Sequence, residues 1–330
     1  MIADTQNSTI AVTGATGFVG RHVLSVLDGR GYKLRLLTRR ALPEPVAEKA
    51  SIITGDLGDA DALARLTEGA DAVLHLAGAI SAPGRQQFFT VNEEGTRRLA
   101  VQAQRAGIRR FVHMSSLAAR QPELSDYAAS KRAAEDGLDA VSGAMDVAII
   151  RAPAVYGPGD RATLPLIQQL TGRFALIPSS VTSRFSLIYV KDLARIAVAA
   201  LEEDWTGRRD ADDGEPPGYG WADLAAAVST LEDHAVTPVF LPRPIVNAAA
   251  WLLSSGASAI GRSAMITPGK VRELYHDDWV SRERVLRADA PTPLPQGLAR
   301  TLAWYRRKGW LRDRPSADRN RLREGGVKFL

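Results

Sequence analysis

Apolar and polar positions fall into alternating blocks along the first half of the chain. Thr9 to Val12 is a short apolar run with polar residues before it. It leads through Thr13-Gly14-Ala15-Thr16-Gly17-Phe18-Val19-Gly20 into a stretch with apolar side chains at Phe18, Val19, Val23, Leu24, Val26 and Leu27. The run reads as a buried strand, and the helical spacing after it as an amphipathic helix. Lys33 to Thr38, Ser51 to Thr54, Ala72 to Leu76 and Arg110 to Met114 read as further strands. Asp59 to Leu66 and a stretch from Val91 to about Ala106 read as helices. Strands that alternate with helices predict an α/β fold with a parallel sheet. The second half is less regular. Leu164 to Leu170 reads as a helix, Ser186 to Ala194 as a strand that starts another helix, Arg208 to Gly220 as a loop, and Trp221 to Leu231 as an amphipathic helix. Arg243 to Arg262 presents Ile245, Val246, Trp251, Leu252, Leu253 and Ile260. That face suits the core of a second lobe, a lid over an acyl chain, or a surface that meets a membrane.

The turn after the first strand carries the first chemistry. Three glycines spaced Gly14, Gly17, Gly20 between a strand and a helix form the context that a dinucleotide fingerprint needs. Gly14 permits the tight turn, Gly17 lets backbone N–H groups approach a pyrophosphate, and Gly20 lets the helix pack close to the strand. The diphosphate then meets the positive end of the helix. This makes the expected fold a Rossmann-type doubly wound sheet. At the end of the second strand, Thr38 is followed by Arg39 and Arg40 where NAD enzymes place a carboxylate for the ribose hydroxyls. A guanidinium binds a 2′-phosphate that a carboxylate would repel. NADP(H) is therefore favoured over NAD(H), with Arg39 the contact; the alternative is a pair of exposed loop arginines. Asp56 suits either the adenine amino group or the N-cap of the helix that follows. The small residues Ala77 and Gly78 after Leu76 let a cofactor backbone lie close. His75 reads as a packed histidine, and Asn92 as a structural tie between neighbouring strands.

Tyr127 and Lys131 stand four apart, which places them on one helix face a turn apart. A free tyrosine titrates near pH 10, about three units above neutrality. A neighbouring ammonium favours the phenolate and is expected to lower that value. Ser115-Ser116 ends the strand before this helix and offers a hydroxyl to a substrate oxygen.

Composition narrows the classes. The chain has 330 residues and no cysteine, which excludes disulfides, thiolate metal sites and cysteine nucleophiles. Its five histidines show no ligand spacing, so no metal site is expected. Met1 to Asn7 lacks the apolar segment of a signal peptide and reads as a loose end. Pro244 to Gly261 is uncharged but too rich in serine, glycine and asparagine for a membrane span. The net charge is +5, yet Thr301 to Leu330 alone carries +6. The basicity belongs to the tail, as a solvated end or an attraction to an anionic membrane surface or acidic partner. No stacking aromatics or reader motif accompany it, so nucleic acid is not expected.

Taken together, these pieces resemble the extended short-chain dehydrogenase/reductases, the epimerase, dehydratase and 3β-hydroxysteroid-dehydrogenase-like group. The matching residues are the Gly14/Gly17/Gly20 turn, Asp56-Leu57, Leu76-Ala77-Gly78, Asn92, Ser115-Ser116, Tyr127 with Lys131, and Arg151-Ala-Pro-Ala-Val-Tyr-Gly-Pro-Gly159. They run in the family's order over the first half. The resemblance implies that Ser116, Tyr127 and Lys131 are catalytic. It implies cofactor contacts at Gly14, Thr16, Gly17, Phe18, Val19, Gly20, Arg39, Asp56, Leu57, Leu76, Ala77, Gly78, Ser115, Tyr127 and Lys131, and puts Pro153 and Val155 near the nicotinamide. Many sugar-nucleotide members carry Asn where Ala154 stands here, and the methyl group loses both donor and acceptor. The C-terminal half resembles proteobacterial members that act on lipid-like ketones, the bacterial ceramide reductase type.

The expected organisation is a dinucleotide-binding domain over 8–160 with a returning segment near 185–202, a smaller substrate-binding lobe over 161–310, and a basic tail over 311–330. The expected activity is an NADPH-dependent reduction of a largely apolar ketone such as 3-oxo-ceramide, in the cytoplasm or at the inner face of the membrane. Two rivals remain at this stage: a nucleotide-sugar epimerase or dehydratase that recycles its cofactor in place, and a non-catalytic NADP(H)-binding assembly factor. The pattern leaves oligomeric state open.

Overall fold

The computed structural model describes residues 8–40, 50–141, 143, 145–259 (backbone alone for 255–259) and 267–312. The expectations for the N-terminal end before residue 8 and for most of the basic tail lie outside these residues. In the first half, β1 (Thr9–Thr13), α1 (Phe18–Asp28), β2 (Lys33–Thr38), β3 (Ala50–Thr54), α2 (Ala60–Thr67) and β4 (Ala72–His75) follow the predicted pattern within a residue or two. Asp59 caps α2 through the Ala62 amide (2.9 Å), whereas Asp56 turns onto the Gly58 amide (2.8 Å). The capping role considered for Asp56 therefore belongs to Asp59, which stands one residue before the helix, within reach of its free N–H groups.

The next helix starts earlier than its apolar spacing suggested. It runs as α3 (Arg85–Phe89), a π-helical turn (Thr90–Glu94) and α4 (Gly95–Arg105). β5 (Arg110–Ser116), α5 (Asp126–Asp139) and β6 (Asp146–Ala152) complete the regular part. β7 (Ala154–Tyr156), α6 (Leu164–Leu170), β8 (Phe174–Ile177), β9 (Arg184–Phe185) and β10 (Leu187–Tyr189) precede α7 (Val190–Glu202), which brings the chain back onto the sheet. β11 (Gly207–Asp210) then joins it. This corrects the loop expected from Arg208. Its charged side chains suit an edge strand: Arg208 reaches Glu135 and Asp139, and Arg209 lies over the Trp205 ring.

The main sheet has seven parallel strands in the order β11-β6-β5-β4-β1-β2-β3. The order reverses between β1 and β4, the crevice where open α/β sheets hold their ligands. Successive residues of β1 serve opposite faces. Ile10 and Val12 join the layer under α1 and α7, and Ala11 joins the layer under α2, α4 and α5. A second body of structure follows the sheet's C-terminal edge. It contains α8 (Trp221–Glu232), β12 (Thr237–Phe240), α9 (Arg243–Ala259), α10 (Pro268–Leu274), β13 (Asp278–Trp279) and α11 (Leu294–Arg307), with β12 paired to β8 and β13 to β9. Its core gathers Tyr156, Leu170, Ile177, Leu187, Tyr219 and Leu298.

Candidate active site

The glycine turn is built by backbone contact. Gly14 has φ +75°, and a Cβ there would lie 2.5 Å from the Ala77 amide nitrogen, so the turn rests directly on the end of β4. A Cβ on Gly20 would fall 2.1 Å from the Gly14 carbonyl oxygen. The third glycine therefore clears the turn itself, a more local reason than the strand contact expected for it. No side chain caps α1, and Thr16 and Gly17 at its mouth are exposed. The first-turn N–H groups are thus presented outward at a positive helix end. Ala77 packs beside this turn, and Gly78 lies close to Lys131: a Cβ on Gly78 would be 3.8 Å from Nζ.

Ser116, Tyr127 and Lys131 converge at the C-terminal end of β5. Ser125 caps α5 by accepting from the Ala128 amide at 2.9 Å, which sets the helix start one residue before Tyr127. Ser116 ends β5 and interacts with the Tyr127 hydroxyl. The Lys131 ammonium donates to the Met114 carbonyl at 2.7 Å. Burial pushes the Tyr127 phenol up to about 12; the Ser116 hydrogen bond lowers it and the Glu273 carboxylate raises it. Burial brings Lys131 down to about 8, opposed by Glu135. The tyrosine pKa therefore moves opposite to the expected direction. The predicted spacing is present, but the ammonium faces a main-chain carbonyl, and desolvation of the phenol dominates.

Three supporting groups stand around these residues that the sequence motifs do not include. Glu135 stands one turn beyond Lys131 and is fully buried. It accepts from Ser115 Oγ at 2.5 Å, from Arg151 at 2.8 Å and from Arg208 at 2.9 Å. The Ser115 hydroxyl is thus committed to Glu135, and the Ser116 hydroxyl is the one beside Tyr127. Glu273 on α10 accepts from Ser125 Oγ and, at 2.8 Å, from Lys270. His113 stacks on His75 at 5.1 Å. His75 itself is packed as expected, between Thr13 Oγ1 at 2.6 Å and Thr96 Oγ1 at 2.8 Å. An acid at the i+4 position after Lys131 was the one visible signal for Glu135. Glu273 and His113 reach the site only through tertiary packing. Asn92 ties the loop after β4 to α5, through Ala79 at 2.7 Å and Ser130 at 2.9 Å, so it links a loop to a helix and not two strands.

Residues 10–210 match the profile of the NAD dependent epimerase/dehydratase family. The chain belongs to this family. Among its relatives, Ceramide reductase of Caulobacter vibrioides (strain NA1000 / CB15N) is 38% identical over 315 residues, which cover 94% of this chain and 98% of that protein. The 3 beta-hydroxysteroid dehydrogenase/Delta 5-->4-isomerase of Mycobacterium tuberculosis (strain ATCC 25618 / H37Rv) is 30% identical and aligns over 91% of each chain. The solved structure of gox2253 superposes with a TM-score of 0.71 at 25% identity, over 92% of this chain and 99% of that one. The protein is an NAD(P)-dependent oxidoreductase with a Rossmann-type fold. Open α/β sheets hold a dinucleotide across the crevice where the strand order reverses, and several residues here fit one. The uncapped first turn of α1, the tight glycine turn on the end of β4 and the closeness of Gly78 to Lys131 are the features that fit. Arg39 and Arg40 are exposed at the end of β2, Asp56 is exposed beyond β3, and Leu57 is buried beneath it. Leu76, Pro153 and Val155 are half-buried at strand ends, and Ala154 beside them is exposed. No group of three or more His, Asp or Glu among the described residues could hold a metal.

Proposed function

We propose that this family member is an NADPH-dependent ketoreductase of a largely apolar, lipid-like ketone, with 3-oxo-ceramide or a related sphingolipid intermediate as the substrate class. The observation that carries this reading furthest is the likeness to Ceramide reductase along nearly the whole of both chains. A bound reduced nicotinamide supplies a hydride. The residues of the chain then manage the oxygen. Tyr127, protonated throughout the neutral range, donates its proton to the developing alkoxide, and Ser116 donates a hydrogen bond to the same oxygen. The Lys131 charge offsets the phenolate left behind. Arg39 holds the 2′-phosphate, and Gly14, Thr16, Gly17, Phe18, Val19, Gly20, Asp56, Leu57, Leu76, Ala77, Gly78, Ser115, Pro153 and Val155 line the remainder of the dinucleotide path. The two-part organisation and a peripheral contact with an anionic membrane surface belong to this reading, because a lipid-like ketone has to be drawn from a bilayer.

The test is NADPH oxidation by purified protein with 3-oxo-ceramide in detergent, alongside NADH. Turnover is expected with NADPH and to be weaker with NADH. Tyr127→Phe is expected to abolish turnover and to keep NADPH affinity within about twofold, since a single proton donor contributes about 10²–10⁴ in rate. Equal use of NADH would remove the assignment of Arg39. Retained turnover in Tyr127→Phe would remove Tyr127 as the acid.

A further inference from the structure

α9 packs lightly and is unusually apolar on its outer side. Val246 and Ala250, one turn apart, seat it against Val271 of α10, with Leu241 and Tyr275 beside them. Four large apolar side chains of the helix lie outside this seat. Ile245 is 62% exposed, Trp251 62%, Leu252 65% and Leu253 58%. Four large apolar side chains exposed on one helix exceed the scattered single residues usual on a protein surface. The strand leading into α9 continues the pattern. Val239 on β12 lies opposite Leu176 on β8, and both are exposed together with Phe174, while Ala175 and Ile177 turn inward.

Charge identifies what would cover this surface. From Ala235 to Arg272 the chain carries Arg243, Arg262, Lys270 and Arg272 and no carboxylate. Within the described part, Arg243 is exposed at the start of α9 and Arg272 is exposed on α10, while Lys270 is paired with the buried Glu273. A helix with exposed Trp, Leu and Ile, an arginine at its start and no carboxylate of its own has the chemistry of a segment lying in the interface of an anionic bilayer. No helix among the described residues is long and apolar enough to cross a membrane. Such a helix lies on the membrane surface and does not span it.

We infer that α9 docks this protein on an anionic lipid surface through Ile245, Trp251, Leu252 and Leu253. The helix sits one contact away from the candidate site. It rests on α10, and α10 is fastened to the start of α5 by Glu273 on Ser125 and by Arg272 Nε on the Leu124 carbonyl at 2.8 Å. Tyr127 follows two residues after Ser125. Docking by α9 therefore brings the bilayer to the side of the molecule that holds the start of α5. This deepens the lipid-ketone reading above, but its test needs no turnover.

The test is sedimentation of the full chain with vesicles of phosphatidylglycerol and phosphatidylcholine, and with vesicles of phosphatidylcholine alone. Partition into the anionic vesicles is expected, weakening as salt rises. The triple variant Trp251→Ser, Leu252→Ser, Leu253→Ser is expected to lose at least about tenfold in partition. Its melting temperature and NADPH affinity should stay at the parent's values, since none of the three side chains is buried. The inference is overturned if the parent protein stays in the supernatant with anionic vesicles, or if the folded variant partitions equally. It is also overturned if the parent is a dimer that ignores vesicles and the variant is a monomer, since a second copy would then cover the face. Firm vesicle binding without reduction of lipid ketones would sink the substrate reading and leave the docking surface standing.

Discussion

Tyr127 and Lys131 divide a task that neither performs alone, and their environments set the pH range in which it works. Burial holds the Tyr127 proton on up to about 12, so the acid stays loaded at every physiological pH. Lys131 is the group that titrates nearby, at about 8. Its charge is present below that value and is lost as pH rises through it. The rate of ketone reduction is therefore expected to be level near pH 7 and to fall about tenfold per unit well above pH 8. Initial rates from pH 6 to 10 check this. Lys131→Arg keeps its charge over the whole range and should flatten the falling limb, at some cost in rate from the longer side chain. A limb that stays in place in Lys131→Arg would assign it to another group. At this scale the sequence was legible in spacing but not in field. The four-residue interval placed Tyr127 and Lys131 on one face, as helical geometry demands. The direction of the tyrosine shift depends first on burial of the phenol, with Glu273 adding to it, and no local pattern announces either.

Helix α5 works as a unit because its cap and its buried face are both tied down. Ser125 fixes its first turn, and Tyr127, Lys131 and Glu135 follow at successive turns of one face. Glu135 ends the series as the carboxylate that pairs Arg151 and Arg208. Arg151 is 4% exposed at the side chain, and Glu135 is its fully buried partner. Glu135→Gln is expected to destabilise the fold by on the order of 3 kcal/mol, because it takes the buried carboxylate from the Arg151 guanidinium and leaves it the half-exposed Glu283 at 3.0 Å. Urea unfolding measures that loss. The same substitution removes the charge that holds Lys131 up. The alkaline limb of the rate should then move below pH 8, and a change in stability with no move of the limb would confine Glu135 to the scaffold. Elements with strong periodicity were readable: β1, α1 and the strands through β5 stand where apolar runs placed them. The early start of α3 was hidden because Arg85-Gln-Gln-Phe-Phe89 has no buried residue, so its spacing carries no core signal. β11 was hidden because an edge strand can keep charged side chains and still pair its backbone.

Across the whole molecule, the first half was legible because one sheet imposes one repeated pattern. The second half is built from two-stranded pairs and short helices whose partners lie far apart in sequence, as with β8 and β12 or β9 and β13. Where the two faces of the sheet meet the crevice, the protein buries an uncharged histidine pair. His75 on β4 and His113 on β5 are both fully buried, and both ring nitrogens of His113 lack a hydrogen-bond partner among the described residues. Burial, with the nearby Lys131 charge, lowers His75 to about 3 and His113 well below its ordinary value. In the unfolded chain both bind protons near pH 6.5. Between these limits the unfolded state holds more protons, so stability is fully present above about pH 6.5 and falls as pH drops. Each histidine contributes a slope of up to about 1.4 kcal/mol per pH unit between pH 4 and 5.5. His113→Leu removes one of the two titrating groups together with two unsatisfied nitrogens, at nearly constant volume. It should therefore halve the histidine part of that slope and leave stability at pH 7 unchanged or higher. Urea unfolding at pH 4.5, 5.5 and 7 measures both quantities. An unchanged slope, or a loss at pH 7 greater than about 2 kcal/mol, would mean that His113 makes a polar interaction in the native protein and is more than a neutral packing group.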